Sequence, residues 1–237
     1  MKTKKLMLFA YDFPHKKTQD FIFRLIVEGY KINYCIATPW KKLNITPSLV
    51  SIEQKHIGLM HPRDICKKLG IKYFSVDHDS EKTVKIINKN PADLYIIAGA
   101  RILSRQVIKA CRDKILNIHP GLLPEVRGLD TFLWSIIYDK PLGISAHLIS
   151  SKIDSGLLIY KEKLPLYKDD TPKDVTLRLL EYQTEILLKA LNLIKKKNLK
   201  DLENLSNIKS VYNTKMSADK EKLALKKFNE WILKYAQ

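Results

Sequence analysis

The chain has 237 residues, of which 45% are hydrophobic and 28% charged. That is enough apolar material for one large domain, or for one domain with an appendage, and the charged share is ordinary for a soluble protein. No apolar run approaches the roughly 20 residues of a membrane span. The basic start Met1-Lys2-Thr3-Lys4-Lys5 leads into a short apolar run that stops at Asp12 with no small-residue cleavage pattern behind it. Neither a membrane span nor a signal peptide is expected, and the location expected is cytoplasmic.

Cys35, Cys66 and Cys111 are scattered and odd in number, so they are expected as reduced thiols, with no metal site. The net charge of +17 invites a nucleic-acid partner. The lysines, however, spread along the whole chain, as in Lys195-Lys196-Lys197. A small anionic substrate suits the same charge, so nucleic acid is not the expected partner.

In chain order, Leu6–Tyr11 reads as a strand. Thr18–Tyr30 reads as a helix with apolar Phe21, Ile22, Leu25 and Ile26 at helical spacing. Ile32–Ala37 is a second strand. Thr38–His61 lacks periodicity and reads as a loop. Then come a helix at Pro62–Leu69, a strand at Ile71–Val76, a helix at Glu81–Asn90, a strand at Leu94–Ala98, a helix capped by Ser104, and a strand at Ile115–His119. This β-α-β succession with near-continuous apolar strands predicts an α/β fold whose parallel sheet is covered on both faces. Beyond Gly128 the pattern changes to a short helix at Thr131–Tyr138 and strands at Ile144–Ser150 and Leu157–Leu166. A long helix follows, opened by the capping box Thr171-Pro172-Lys173-Asp174 and running to about Lys196, and an amphipathic last helix spans Ala218–Ala236. That last helix packs on the core or on a second subunit of a homodimer; the sequence leaves both open.

One stretch carries chemistry: Asn117-Ile118-His119-Pro120-Gly121-Leu122-Leu123-Pro124, with Asp154 downstream in Ile153-Asp154-Ser155-Gly156. Asn117 and His119 are spaced to point to one face of a strand that Pro120 ends, where open α/β sheets place ligands. An amide that can donate to an oxyanion, an imidazole that can carry protons and a carboxylate that can accept one suit attack of an amine on a carbonyl carbon. Taken alone, the Asn-x-His pair fits a satisfied core histidine at least as well.

The wider string decides between them. With Arg127-Gly128, Gly143-Ile144-Ser145-Ala146-His147, Asp154-Ser155-Gly156 and the upstream Ala98-Gly99-Ala100-Arg101-Ile102-Leu103-Ser104, it resembles the folate-dependent formyltransferase family. That family includes glycinamide ribonucleotide transformylase, methionyl-tRNA formyltransferase and the nucleotide-sugar N-formyltransferases. The resemblance implies a Rossmann-like catalytic domain over residues 1–166, with residues 167–237 as a helical C-terminal extension packing on it. It implies 10-formyltetrahydrofolate as co-substrate, with no metal. Asn117 would hold the formyl oxygen, His119 would donate a proton or stabilise charge, and Asp154 would accept the amine's proton. Arg101, Ile102, Leu103, Ser151 and Ile153 would surround the pterin.

Departures from the family point to the acceptor. The first βα turn, Tyr11-Asp12-Phe13-Pro14-His15-Lys16-Lys17, has no glycine, whereas the purine-pathway enzymes cradle phosphate there on glycine backbone. The tRNA enzymes carry a C-terminal β-barrel, whereas the residues after Leu166 read helical. What remains is the amine of a nucleotide-linked sugar, with His15, Lys16, Arg127 and Asp130 as candidate substrate contacts. Gly121 stands where many members carry Ser, a change expected to be harmless in a turn. His61 and His78 are assigned to the surface, Trp40 and Tyr11 to packing or to base stacking, and His147 to the core or to support of the site. The segment Tyr212-Asn213-Thr214-Lys215-Met216 lies beyond the core, and tails of this look occur in sugar formyltransferases. A purine-pathway transformylase, a basic RNA-binding relative and a hydrolase of the same folate remain as alternatives.

Overall fold

A computed structural model describes residues 5–42, 47–52, 58–150, 154–196 and 202–237. The chain divides into two compact units. The first comprises Met1–Lys42, Gln54–Asn117 and Leu148–Lys152, and the second comprises Leu43–Glu53, Ile118–His147 and Ile153–Gln237. The expected extension 167–237 therefore falls in the second unit together with residues 118–147 and 153–166.

In the first unit, β1 (Leu6–Tyr11) runs parallel between β2 (Ile32–Thr38) and β4 (Leu94–Ile97). β3 (Lys72–Ser75) pairs with β2, and β5 (Ile115–His119) pairs with β4, giving the order β3-β2-β1-β4-β5. Phe9 lies in register with Ile36 on one side and Ile97 on the other. Met7, Phe9, Ile36, Tyr95, Val107 and Ile115 make one buried cluster, which is why these strands read as unbroken apolar runs. The helices are α1 (Lys16–Val27), α2 (Pro62–Lys68), α3 (Glu81–Lys89) and α4 (Arg105–Ala110). Ser80 and Ser104 cap α3 and α4 through their hydroxyls. Two caps are less obvious. His15 and His61 accept backbone N–H bonds at the starts of α1 and α2, so α1 begins two residues before the Thr18 expected from periodicity.

The second unit orders β5-β7-β8, with β7 at Gly143–Ile149 and β8 at Gly156–Lys163. The connection from 150 to 155 is too short for a parallel crossover, so the mostly parallel sheet ends in an antiparallel pair. α5 (Thr131–Ile137), α6 (Pro172–Lys196) and α7 (Ala218–Tyr235) complete the unit. The predicted capping box forms: Thr171 N–H donates to the Asp174 carboxylate at 2.8 Å, and Asp174 N–H donates to Thr171 Oγ1 at 3.3 Å. The apolar face of α7 is taken up inside the chain. Phe228 and Trp231 are buried against Phe132 of α5, and Trp231 Nε1 donates to Lys140 O at 2.9 Å. No described helix is long and apolar enough to cross a membrane. Among the described residues no three His, Cys, Asp or Glu side chains gather as a metal site.

Two elements were invisible in the sequence. Arg127–Gly128 (β6) and Tyr212–Asn213 (β9) pair in parallel as a small separate sheet. Each has only two residues, too short for any periodic signal.

His78 corrects an expectation. It is 1% exposed, lies edge-on to Phe9 with ring centroids 5.1 Å apart, and donates from Nε2 to Ile36 O at 2.9 Å. Its Nδ1 has no partner among the described residues. Burial lowers its pKa to about 4. The unfolded chain protonates this ring near pH 6.5 and the folded chain does not, so the stability His78 provides is full above pH about 6.5 and is lost as pH falls towards 4. Urea midpoints are expected to fall between pH 7.5 and 5.0 in the native protein and to fall less in His78→Phe. Equal slopes in the two proteins would refute this assignment.

Candidate active site

β5 presents Asn117 and His119. Asn117 ends the first unit, half-buried, in register with Ile97 of β4. His119 begins two residues later in the second unit and is 4% exposed. With Ile118 between them, the two side chains leave the strand on the same face.

In the second unit His119 and Asp154 come together, with His119 Nδ1 3.5 Å from Asp154 Oδ1. The other ring nitrogen, Nε2, donates to Val126 O at 3.0 Å. Both ring nitrogens thus face oxygen acceptors, and a neutral imidazole can donate to only one of them. Asp154 is fixed from its other oxygen, Oδ2, which accepts the Gly128 N–H at 2.7 Å. Asp154 itself has φ +46, a left-handed conformation.

The neighbours of this pair are rigid. His147 is fully buried, its ring centroid 6.5 Å from that of His119, and its Nδ1 donates to Ser155 O at 3.1 Å. Burial, and then the nearby His119, lower its pKa to about 4, so it is neutral at physiological pH and anchors the chain beside Asp154. The Ser145 hydroxyl accepts the Leu123 N–H at 2.9 Å. Glycine fits closely at 121. A Cβ there would stand 2.9 Å from both His119 Nε2 and Val126 O, and 3.0 Å from a Thr131 methyl. In this chain a side chain at 121 would crowd the His119–Val126 bond.

The other candidate residues have partners of their own. The Arg127 guanidinium, 8% exposed, donates to Leu205 O at 2.8 Å, while its Nε has no partner among the described residues. The Asp130 carboxylate sits 3.0 Å from Lys215 Nζ and accepts the Met216 N–H at 2.7 Å. In the first unit, Lys16 pairs with Asp20 at 2.8 Å. His15 Nδ1 lies 2.9 Å from the Thr18 hydroxyl, and burial, followed by Lys17, lowers the pKa of His15 to about 4. Arg101 ties the end of β4 to the end of β2, donating to Thr38 Oγ1 and Pro39 O at 2.8 Å each. Leu103 is in the core, whereas Ile102 is 70% exposed. Ser151 and Ile153 lie outside the described residues.

Sequence reasoning missed Gly128 as a holder of Asp154, and Asn213 behind it. Gly128 has φ +94, and a Cβ there would meet Asn213 O at 2.0 Å. Gly128→Ala is therefore expected to cost more than the roughly 1–3 kcal/mol of a left-handed non-glycine residue. Urea unfolding would measure this, and a loss below about 1 kcal/mol would show that the clash relaxes at no cost.

Comparison with known proteins agrees with the motifs. Residues 41–191 match the Formyl transferase family model. The chain is 33% identical over 96 residues to a phosphoribosylglycinamide formyltransferase of Haemophilus influenzae, covering 40% of this chain and 45% of the relative. It is 25% identical over 183 residues to a methionyl-tRNA formyltransferase of Caldanaerobacter subterraneus, covering 74% of this chain and 56% of the relative. The chain thus spans about half the length of these curated relatives. In fold it is similar to a sugar N-formyltransferase from Shewanella sp. FDAARGOS_354, with TM-score 0.63 and 21% identity over 95% of this chain and 87% of that one. The motifs, the α/β architecture and a family match over more than half of the residues lead to one conclusion: the chain belongs to the folate-dependent formyl transferase family.

Proposed function

We propose that the chain transfers a formyl group from 10-formyltetrahydrofolate to the primary amine of a nucleotide-linked amino sugar. On this view residues 1–166 carry the chemistry and residues 167–237 support it. The observation that carries formyl transfer is the His119–Asp154 pair, with the carboxylate pinned by the Gly128 N–H; His119 stands two residues beyond Asn117 on β5. 10-Formyltetrahydrofolate supplies the formyl group. Ile102, an apolar side chain 70% exposed at the end of β4, offers the kind of surface a pterin ring covers. The Arg101 guanidinium is committed to Thr38 and Pro39, so Arg101, Ile102 and Leu103, with Ser151 and Ile153, would hold the pterin chiefly through backbone groups.

The family resemblance implies the roles, and donor and acceptor chemistry is compatible with them. The Asn117 amide N–H donates to the formyl oxygen as negative charge builds there. Asp154 accepts the proton that the attacking amine loses. His119 acts as proton donor or electrostatic stabiliser of the developing charge. His119→Ala and Asn117→Ala are expected to cut turnover by about 100-fold or more with the fold intact by circular dichroism. Near-native turnover in His119→Ala would sink the mechanism.

The acceptor rests on the β1–α1 turn. Asp12 places a carboxylate there, bonded by the Tyr73 and Ser75 hydroxyls and 3.1 Å from Arg63. The Thr18 N–H at the start of α1 is used by His15 Nδ1. His15 is neutral at pH 7, and burial lowers the Lys17 pKa to about 7. A turn with a carboxylate and no glycine, whose Lys16 is already paired with Asp20, is a poor phosphate cradle. This supports an acceptor other than glycinamide ribonucleotide. That acceptor is the second reading, carried by the likeness to a phosphoribosylglycinamide formyltransferase. His15, Lys16, Arg127 and Asp130 already bond within the protein, so acceptor recognition by any of them requires an exchange of partners.

A panel of nucleotide-linked amino sugars and glycinamide ribonucleotide, incubated with 10-formyltetrahydrofolate, separates the readings by which amine gains the mass of a formyl group. Formylation of glycinamide ribonucleotide with all sugar nucleotides inert would overturn the sugar assignment. Folate turnover without any amine would point to hydrolysis.

A further inference from the structure

We propose that Asn213 is a positioning residue for Asp154, acting through the peptide that joins Arg127 to Gly128. The proposal rests on the formyl-transfer reading for its kinetic consequence, but not for its geometry. Asn213 lies in β9, beyond residues 41–191 that match the family model, and is 3% exposed.

The geometry is a chain of three bonds through planar groups. The Asn213 side-chain Nδ2 donates to Arg127 O at 3.0 Å. That carbonyl and the Gly128 N–H belong to one trans peptide, planar and rigid, so their directions are opposed and fixed together. The same Gly128 N–H donates to Asp154 Oδ2 at 2.7 Å. Holding the carbonyl oxygen therefore aims the N–H at the carboxylate, and bonds in series polarise one another. Asn213 also holds the next peptide, because the Leu129 N–H donates to Asn213 O at 2.8 Å. Both peptide planes that meet at the Gly128 Cα are thus bonded to one residue. Glycine is the residue with least intrinsic preference for its φ, so at Gly128 (φ +94) the direction of the N–H depends on these outside bonds.

Asn213 is fixed in turn. Its Oδ1 accepts the Tyr138 hydroxyl at 2.7 Å, and Tyr138 stacks on Trp134 with ring centroids 5.3 Å apart. The amide orientation is thereby determined: the oxygen faces a donor and the nitrogen faces a carbonyl. An Asp at 213 would turn an acceptor towards the Arg127 carbonyl, so only the amide satisfies both neighbours.

The experiment uses the full chain and two readouts. Arg127-Gly128 is the only Arg-Gly dipeptide in the sequence, so carbonyl-13C arginine with 15N glycine isolates the Gly128 amide in an NMR spectrum. In the native protein this proton is expected at low field, as for an N–H bonded to a carboxylate, and it should move upfield in Asp154→Ala. Asn213→Ala should move it in the same direction, and Tyr138→Phe, the milder variant should Asn213→Ala fail to fold, should move it less. An unmoved Gly128 resonance in a folded variant overturns the proposal, whatever the protein catalyses.

The second readout is kinetic. Asn213→Ala should lower kcat on the order of 100-fold, the cost of about 1 Å of misplacement, with KM for 10-formyltetrahydrofolate changed less than about threefold. In an Asp154→Ala background the same substitution should have no further effect on kcat. An equal fractional loss in both backgrounds means a merely structural role and overturns the proposal. If the native protein formylates no amine, the formyl-transfer reading fails, and the Gly128 resonance alone decides the positioning role.

Discussion

The bond from the Gly128 N–H to the Asp154 carboxylate determines what the second unit can do. A carboxylate on an unsupported loop would rotate freely and meet water on both oxygens. Here one oxygen is taken by a backbone donor at 2.7 Å, which leaves the other directed at His119, 3.5 Å away. Two left-handed residues make this possible, Asp154 at φ +46 and Gly128 at φ +94. A non-glycine residue in that region costs about 1–3 kcal/mol. The buried partners around it offset this cost: His147 holding Ser155, the β6–β9 pair, and the guanidinium of Arg127 on Leu205 O.

The first unit shows a different use of charge. The chain carries a net +17, yet the charges around the turn after β1 are paired, Lys16 with Asp20 and Arg63 with Asp12. Asp12 gathers Tyr73, Ser75 and Arg63, and these partners hold its pKa below the ordinary carboxylate value against the opposing effect of burial. His15 serves as a helix cap and stays neutral. The bulk charge is therefore a property of the lysine-rich surface and says little about this turn. Net charge informs solubility and encounter more than it informs a site.

Most of the fold was legible because its elements are long or strongly patterned. β1, β2, β4 and β5 read as apolar runs because they are largely buried, and Ser104 and Thr171 announced helix starts by their hydroxyls. His119 and Asp154, which lie 3.5 Å apart, were singled out with Asn117 only because neighbouring motifs stood in order, since spacing alone favoured a satisfied core histidine. What escaped has physical causes. His78 is polar by type, but a single bond to Ile36 O and an edge contact with Phe9 suffice to bury it. The tight space around Gly121, beside His119 Nε2, has no signal in the sequence beyond the glycine itself. β6 and β9 pair over two residues each, with more than eighty residues of sequence between them (213 against 127). No local pattern encodes a contact so short and so distant.

The parallel pairing of β6 with β9 has a consequence for how the protein is made. Synthesis runs from the N-terminus, so Asn117, His119, Gly128 and Asp154 all leave the ribosome well before Tyr212 and Asn213. A nascent chain that stops between Gly156 and Asn213 contains every signature of the family, yet lacks the strand that braces Gly128. The brace on Gly128 is thus made only after every motif of the family has been synthesised, and a product terminated in that interval would carry the motifs without it.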